Sequence, residues 1–243
     1  MAHGTPDWGV TAGRSKVYQL TDMGELAVRL GSIVSFDRRG DVTFLDSFEF
    51  GLRAWTASTS GAGAAVDITT GAARSGFASA RLVAGSDSNR AASIQHLDIM
   101  PALSALGAEC SFALSSTIET LDLEHQIFDG TDFIDWRVRW DETNTRLQYF
   151  DSSGAWVTFA TGVDLAGGAG LFHTMKLRVD FAKRQYINVV FTETSYGLAG
   201  IAPQVTASPL RPQLITEILL TGRSGQNDRV HIDDVILTQN EPA

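Results

Sequence analysis

From Phe133 to Trp140 the chain alternates strictly. Ile134, Trp136, Val138 and Trp140 fall on one side, and Asp135, Arg137 and Arg139 on the other. A period of two residues places successive side chains on opposite faces of a β-strand. The run Thr174–Phe181 behaves alike, with Met175, Leu177, Val179 and Phe181 against Lys176, Arg178 and Asp180. Alternating or β-rich runs also predict strands over 64–70, 79–84, 91–97, 108–118, 125–129, 146–151, 156–160, 185–192, 214–221 and 230–238. Turn strings such as Asp129-Gly130, Glu142-Thr143-Asn144 and Ser152-Ser153-Gly154 separate them. Met100–Leu106 is expected to add one helical turn. Short strands at this density, with no amphipathic helix of useful length, predict an all-β sandwich over residues 46–243.

Before residue 46 the pattern is different. Met1–Val17 mixes Gly, Thr, Pro and Ser without periodicity and reads as an extended arm. Asp22 as N-cap, Glu25 three residues later and Gly31 as a stop predict one short helix. A hairpin then joins Ser32–Phe36 to Asp41–Leu45 through Asp37-Arg38-Arg39-Gly40. The Arg39-Gly40-Asp41 string inside it is what tight turns use, and carries little weight as an integrin motif. Residues 1–45 thus form an arm, in which Trp8 is the residue expected to anchor in a neighbouring subunit or on the body.

Composition narrows the function. The chain of 243 residues is 44% hydrophobic and 19% charged, so it is built to fold. Its net charge of −9 gives no general attraction to phosphate backbones, which makes nucleic acid a poor partner. The single cysteine, Cys110, can close no internal disulfide and supports no Cys-rich zinc site. Residues 1–10 lack the apolar core of a secretory signal, and no window is apolar enough to span a bilayer.

Candidate chemistry is sparse. If the strands over 133–140, 146–151 and 174–181 share a sheet, its outer face collects Arg137, Arg139, Arg146, Lys176 and Arg178. That cluster reads either as a solvated face laced with ion pairs or as a docking surface for an acidic neighbour or a glycan. Glu119, Asp122, Glu124 and Asp129 are the acidic candidates for glycoside chemistry, but they do not match the spacing of sandwich-type glucanases; they read as loop and strand-face residues. The string around Ser224 lacks a nucleophile elbow, and the five histidines are scattered without metal-ligand spacing. Trp136 and Trp140 lie on an apolar stripe and read as core, with a sugar-stacking platform as the alternative.

Three stretches carry a resemblance. Asp46-Ser47-Phe48-Glu49-Phe50-Gly51-Leu52 followed by Trp55 resembles the opening of carbohydrate-binding-module jelly rolls. The stretch 72–82 resembles one of their early strands, and His231–Leu237, with Asp233-Asp234-Val235, resembles their closing strand. Met175–Phe181 with Tyr186–Phe191 is similar to the central hairpin of concanavalin-A-like sandwiches. The resemblance implies a jelly-roll β-sandwich over about residues 46–238. It also implies a structural Ca²⁺ at Glu49 and Asp234, with loop capping as the alternative role for both; no other cofactor is expected. Residues 1–9 and 22–31 resemble the start of structural proteins from tailed-phage gene clusters. From this the expected function is a non-enzymatic virion structural or capsid decoration protein. It would be located in the virion, with virion proteins and copies of itself as partners. The alternative is a carbohydrate-binding module attaching a particle or an enzyme to glycans.

Overall fold

The structure, a computed structural model, describes residues 40–87 and 90–242. The expected helix at 22–31, the first hairpin strand and Trp8 lie outside the described residues.

Two antiparallel sheets, each of eight strands, stack face to face. Sheet A runs in hydrogen-bonded order β13 (Thr194–Gly197), β12 (Gln185–Phe191), β11 (Phe172–Asp180), β6 (Ala105–Leu114), β16 (Arg229–Gln239), β4 (Ser79–Val83) and β3 (Ala65–Thr69). In the same sheet β1 (Asp41–Asp46) also pairs with β16. Sheet B runs β10 (Trp156–Thr161), β9 (Arg146–Phe150), β8 (Asp132–Asp141), β7 (Thr120–Phe128), β15 (Gln213–Thr221), β5 (Ala91–Asp98) and β2 (Thr56–Ser60). Here β14 (Gln204–Ala207) also pairs with β8. This is the jelly-roll β-sandwich that the alternation and the opening and closing motifs lead one to expect.

The apolar stripes meet between the sheets. Trp136, Val138 and Trp140 of β8 and Leu121 and Leu123 of β7 face Cys110 and Phe112 of β6 and Met175 and Leu177 of β11, all fully buried. Both tryptophans are core, and Trp140 donates its indole N–H to the Val163 carbonyl at 3.1 Å. Cys110 is a buried free thiol, and burial pushes its pKa upward.

The motif residues have structural jobs. Asp46 accepts the Phe48 amide at 2.8 Å and the Trp55 indole N–H at 2.9 Å, which ties the opening turn to the core. In β16 the register shifts between Asp233 and Ile236, and Asp234 sits at φ 47°. An aspartate tolerates that conformation better than the β-branched residues around it. Before this bulge β16 pairs with β4, and after it with β1.

Several expectations are corrected. Asp41–Leu45, expected as the second strand of a hairpin in the arm, is part of a strand, Asp41–Asp46, that pairs with Val235–Gln239 in sheet A. Met100–Leu106 forms no helical turn: 100–104 is loop, and Leu106 already lies in β6. The strand expected to begin at His125 begins at Thr120.

Candidate functional site

The outer face of sheet B carries a dense layer of paired charges. On β7 the side chains of Asp122 and Glu124 point away from the core, between the inward Leu121 and Leu123. The register pairs Asp122 with Arg139 and Glu124 with Arg137 on β8. Gln148 of β9 lies opposite Arg139 and Thr158 of β10 opposite Gln148, so one polar row crosses four strands.

Arg139 holds both oxygens of Asp122, at 2.8 and 2.7 Å from its Nε and Nη2. Its guanidinium also lies over Trp156, with Cζ 4.0 Å from the ring centroid. Arg137 is shared: it pairs with Asp135 at 2.6 Å and Glu124 at 3.2 Å, and lies 5.0 Å over Phe150. Asp122, Glu124 and Asp135 are buried under these arginines. Burial pushes the Asp122 carboxyl up against the pull of Arg139. Burial raises Glu124 to about 8, opposed in part by Arg137 and reinforced by the nearby Asp122, Glu217 and Asp135.

Tyr186 fixes this layer from the opposite sheet. Its hydroxyl donates to the Phe150 carbonyl at 2.8 Å and accepts the Arg137 amide at 2.9 Å. The hydroxyl thereby fills the end of the β8–β9 ladder with a hydrogen bond from across the core. Nothing in the local sequence around Tyr186 signals that reach.

At one end of the face lies a groove of about 700 Å³. Arg90, Arg139, Arg146 and Arg223 surround it, with Gln148 and Trp156 among its lining side chains. Each arginine is paired: Arg90 with Glu119, Arg146 with Asp141 and Arg223 with Asp228, all at 2.8 Å. The groove therefore presents donors and acceptors in planar, oriented pairs rather than a bare positive patch.

The five basic residues expected on one face are divided. Arg137, Arg139 and Arg146 belong to sheet B, whereas Lys176 and Arg178 lie on β11 in sheet A, on the far side of the sandwich. Alternation assigns a face but not a neighbour, and β11 pairs with β6 and β12 instead. Lys176 and Arg178 are also buried. Glu241 inserts its carboxylate between them, 2.6 Å from Lys176 Nζ and 3.3 Å from Arg178 Nε. The docking surface expected from all five is thus not formed. Of the acidic candidates, Asp122 and Glu124 share a face, Glu119 pairs with Arg90 at the groove, and Asp129 binds Arg184 in a turn.

Glu49 and Asp234, implied as Ca²⁺ ligands, converge on the loop 71–78. Glu49 Oε1 accepts the Phe77 and Ala78 amides at 2.7 and 2.9 Å, and Asp234 Oδ1 accepts the Ser75 hydroxyl at 2.6 Å. The Arg74 guanidinium lies 3.7 Å from Asp234, and Asp233 accepts the Arg74 and Ser75 amides. Among the described residues no three His, Cys, Asp or Glu side chains form a metal cluster. As placed, these carboxylates hold the loop by hydrogen bonds.

The architecture and the groove define a class: a jelly-roll β-sandwich with a polar cleft on one outer face. Within it, the fold is similar to an endo-β-1,4-glucuronan lyase from the fungus Trichoderma reesei, with TM-score 0.56, 13% identity, and 82% of this chain and 96% of that one covered. It is similar to the cellulose-induced protein Cip1, with TM-score 0.55, 17% identity and coverage of 80% and 96%. It is also similar to a carbohydrate esterase from the Shiga toxin-encoding bacteriophage phi24B, with TM-score 0.53, 13% identity and coverage of 83% and 99%. At these identities the likeness carries the fold and not the activity. No protein-family model matches the chain, and no curated protein matches it in sequence.

Proposed function

We propose that the protein binds glycan chains in the groove on the outer face of sheet B, as a non-enzymatic module. The observation that carries this is the Arg139–Trp156 stack beside Gln148 within a groove of paired arginines. A sugar ring offers vicinal hydroxyls, each donor and acceptor, beside an apolar C–H face. Oriented guanidinium–carboxylate pairs and a side-chain amide meet the first, and an indole meets the second. Binding is favoured over catalysis because Asp122 has both oxygens on Arg139 and Glu124 is covered by Arg137, so neither carboxylate is free to meet a substrate. The test is retention on immobilised neutral and acidic polysaccharides. Trp156→Ala and Gln148→Ala abolish retention while leaving the circular dichroism spectrum unchanged. A protein retained on none of them, or one that cleaves them, overturns the proposal.

A second reading is favoured by a different observation: Phe50 and Phe77, on the loops that Glu49 brings together, are 82% and 81% exposed. Exposed aromatics on adjoining loops suit attachment to a protein surface. In this reading the chain decorates a virion, with the arm that precedes β1, and Trp8 within it, lacing neighbouring subunits or virion proteins. Deleting residues 1–30 then leaves the sandwich folded and abolishes self-association and particle binding.

A further inference from the structure

The four arginines of the sheet B groove share one arrangement. Each uses the Nε/Nη2 edge of its guanidinium inside the protein. Arg139 spends that edge on Asp122, Arg223 on Asp228 at 3.0 and 2.8 Å, and Arg146 on Asp141 at 2.8 Å. Arg90 splits it between the Gly222 carbonyl at 2.7 Å and Glu119 at 2.8 Å. In all four, Nη1 has no hydrogen-bond partner among the described residues, yet none of these nitrogens is a buried orphan. The second edge of each guanidinium is therefore open to solvent, as a planar fork of donors.

The carboxylates lie on the inner side. The side chains of Asp122, Asp141 and Asp228 are 1%, 7% and 2% exposed, against 23%, 37% and 38% for their arginines. Asp122 and Asp228 do not reach the groove wall. Asp141 does, but Asn144 donates to it three times, at 3.1, 3.0 and 3.0 Å, beside the bonds from Arg146. Arg90 is the exception, with Glu119 the more exposed partner. Three pairs are thus neutral but oriented, each with its positive end outward.

That orientation selects among glycans. A sugar hydroxyl brings a proton as well as lone pairs, and these three carboxylates are already engaged. A sugar carboxylate brings acceptors alone, and its two oxygens match a guanidinium edge in a bidentate pair. The net charge of −9 gives polyanions no general attraction to the protein, so binding of one reports the groove itself.

We propose, resting on the glycan reading above, that the bound glycan is a polyuronate whose carboxylates sit on the open edges of Arg139, Arg146 and Arg223.

The full chain is titrated calorimetrically with oligogalacturonate and oligoglucuronate, with the methyl esters of both, and with oligoglutamate, a polyanion without sugar rings. The expected result is a saturable site for at least one uronate, about tenfold or more tighter than for its ester, as loss of a charge-assisted pair requires. Oligoglutamate binds at least tenfold more weakly than that uronate. Arg146→Gln weakens the uronate about tenfold and leaves the ester unchanged, while Asp141 keeps its three bonds from Asn144. Should that variant lose its fold, Arg146→Lys, which keeps the charge without the fork, is expected to show the same loss. Equal affinity for acid and ester, or uronate binding that both Arg146 variants leave intact, overturns this inference and leaves glycan binding standing. So does retention on neutral polysaccharides with no uronate bound. Oligoglutamate bound as tightly as the uronates overturns it in favour of an acidic protein segment. A protein that binds no glycan of either kind overturns this inference together with the reading it rests on.

Discussion

Arg139 lies flat over Trp156, 4.0 Å from the ring centroid, while its Nε and Nη2 hold the two oxygens of Asp122. One guanidinium thus ties together β7, β8 and β10. The edge strand β10 has only β9 as a backbone partner, so this contact fixes the indole that the glycan reading depends on. The planar fork explains the choice of residue: a lysine at 139 could neither grip both oxygens nor stack.

Arg139→Ala leaves Asp122 buried with its main partner gone. Breaking one side of a buried pair costs about 3–5 kcal/mol, mostly from the stranded charge. The variant is expected to lose stability of that order in urea denaturation. The double change Arg139→Met with Asp122→Leu removes both charges and recovers most of the loss. A double variant as unstable as the single one would assign the cost to the lost Trp156 stack instead.

Glu124 predicts a pH dependence whose sign is fixed. Burial raises its pKa from an ordinary value of 4.5 to about 8, and Arg137 opposes this only in part. Between those two values the folded protein holds a proton that the unfolded chain has released. Stability therefore falls as pH rises through that window and levels off above it. Glu124→Gln keeps the hydrogen-bonding shape and removes the titration, so its stability profile is flatter and its gain grows through that window to full size above about pH 8. The difference between the two profiles isolates Glu124 from Asp233, which burial and Asp234 push up to about 6. Identical slopes for the two proteins would rule out a protonated Glu124.

The alternation of 133–140 was sufficient to place Trp136 and Trp140 in the core, because period two says which side of a strand is buried. It could not say which strands are neighbours. Lys176-x-Arg178 and Arg137-x-Arg139 have the same local pattern, yet they lie on opposite outer faces, and one pair is capped by Glu241 from the chain end. Asp122-x-Glu124 looks solvated when read alone. Its complement, Arg137-x-Arg139 on the next strand, was the available signal, since an antiparallel register sets the two pairs across from each other. The groove and the Tyr186 bridge depend on contacts between distant segments, and no local pattern reports them.

Glu241 supplies the carboxylate between two buried cations, and it also accepts the Thr238 hydroxyl at 2.6 Å. Pro242 adds its carbonyl to Arg178. Glu241→Ala removes this acceptor from Lys176, whose Nζ also lies 4.0 Å from the Glu109 carboxylate. The expected cost is again about 3 kcal/mol, seen as a lower Tm, and Glu241→Gln restores part of it. Removing residues 241–243 has the effect of Glu241→Ala. An unchanged Tm in the truncated protein would show that β11 and β6 hold these cations without the tail.

Glu49 and Asp234 grip the loop 71–78 at two points, through the Phe77 and Ala78 amides and the Ser75 hydroxyl. We propose that Ca²⁺ strengthens this junction, competing with Arg74 for Asp234 and drawing further oxygens from the loop carbonyls. A cation that binds only the folded state raises Tm by mass action, so EDTA lowers it and excess Ca²⁺ restores it. Glu49→Ala abolishes that response. Gly76→Ala provides the geometric control: at φ 64° a Cβ would stand 2.2 Å from Glu49 Oε1, so the clamp must open. That variant is expected to lose about 1–3 kcal/mol with or without the ion. If the unaltered protein melts at the same temperature in EDTA while Gly76→Ala still destabilises it, hydrogen bonds alone hold the junction.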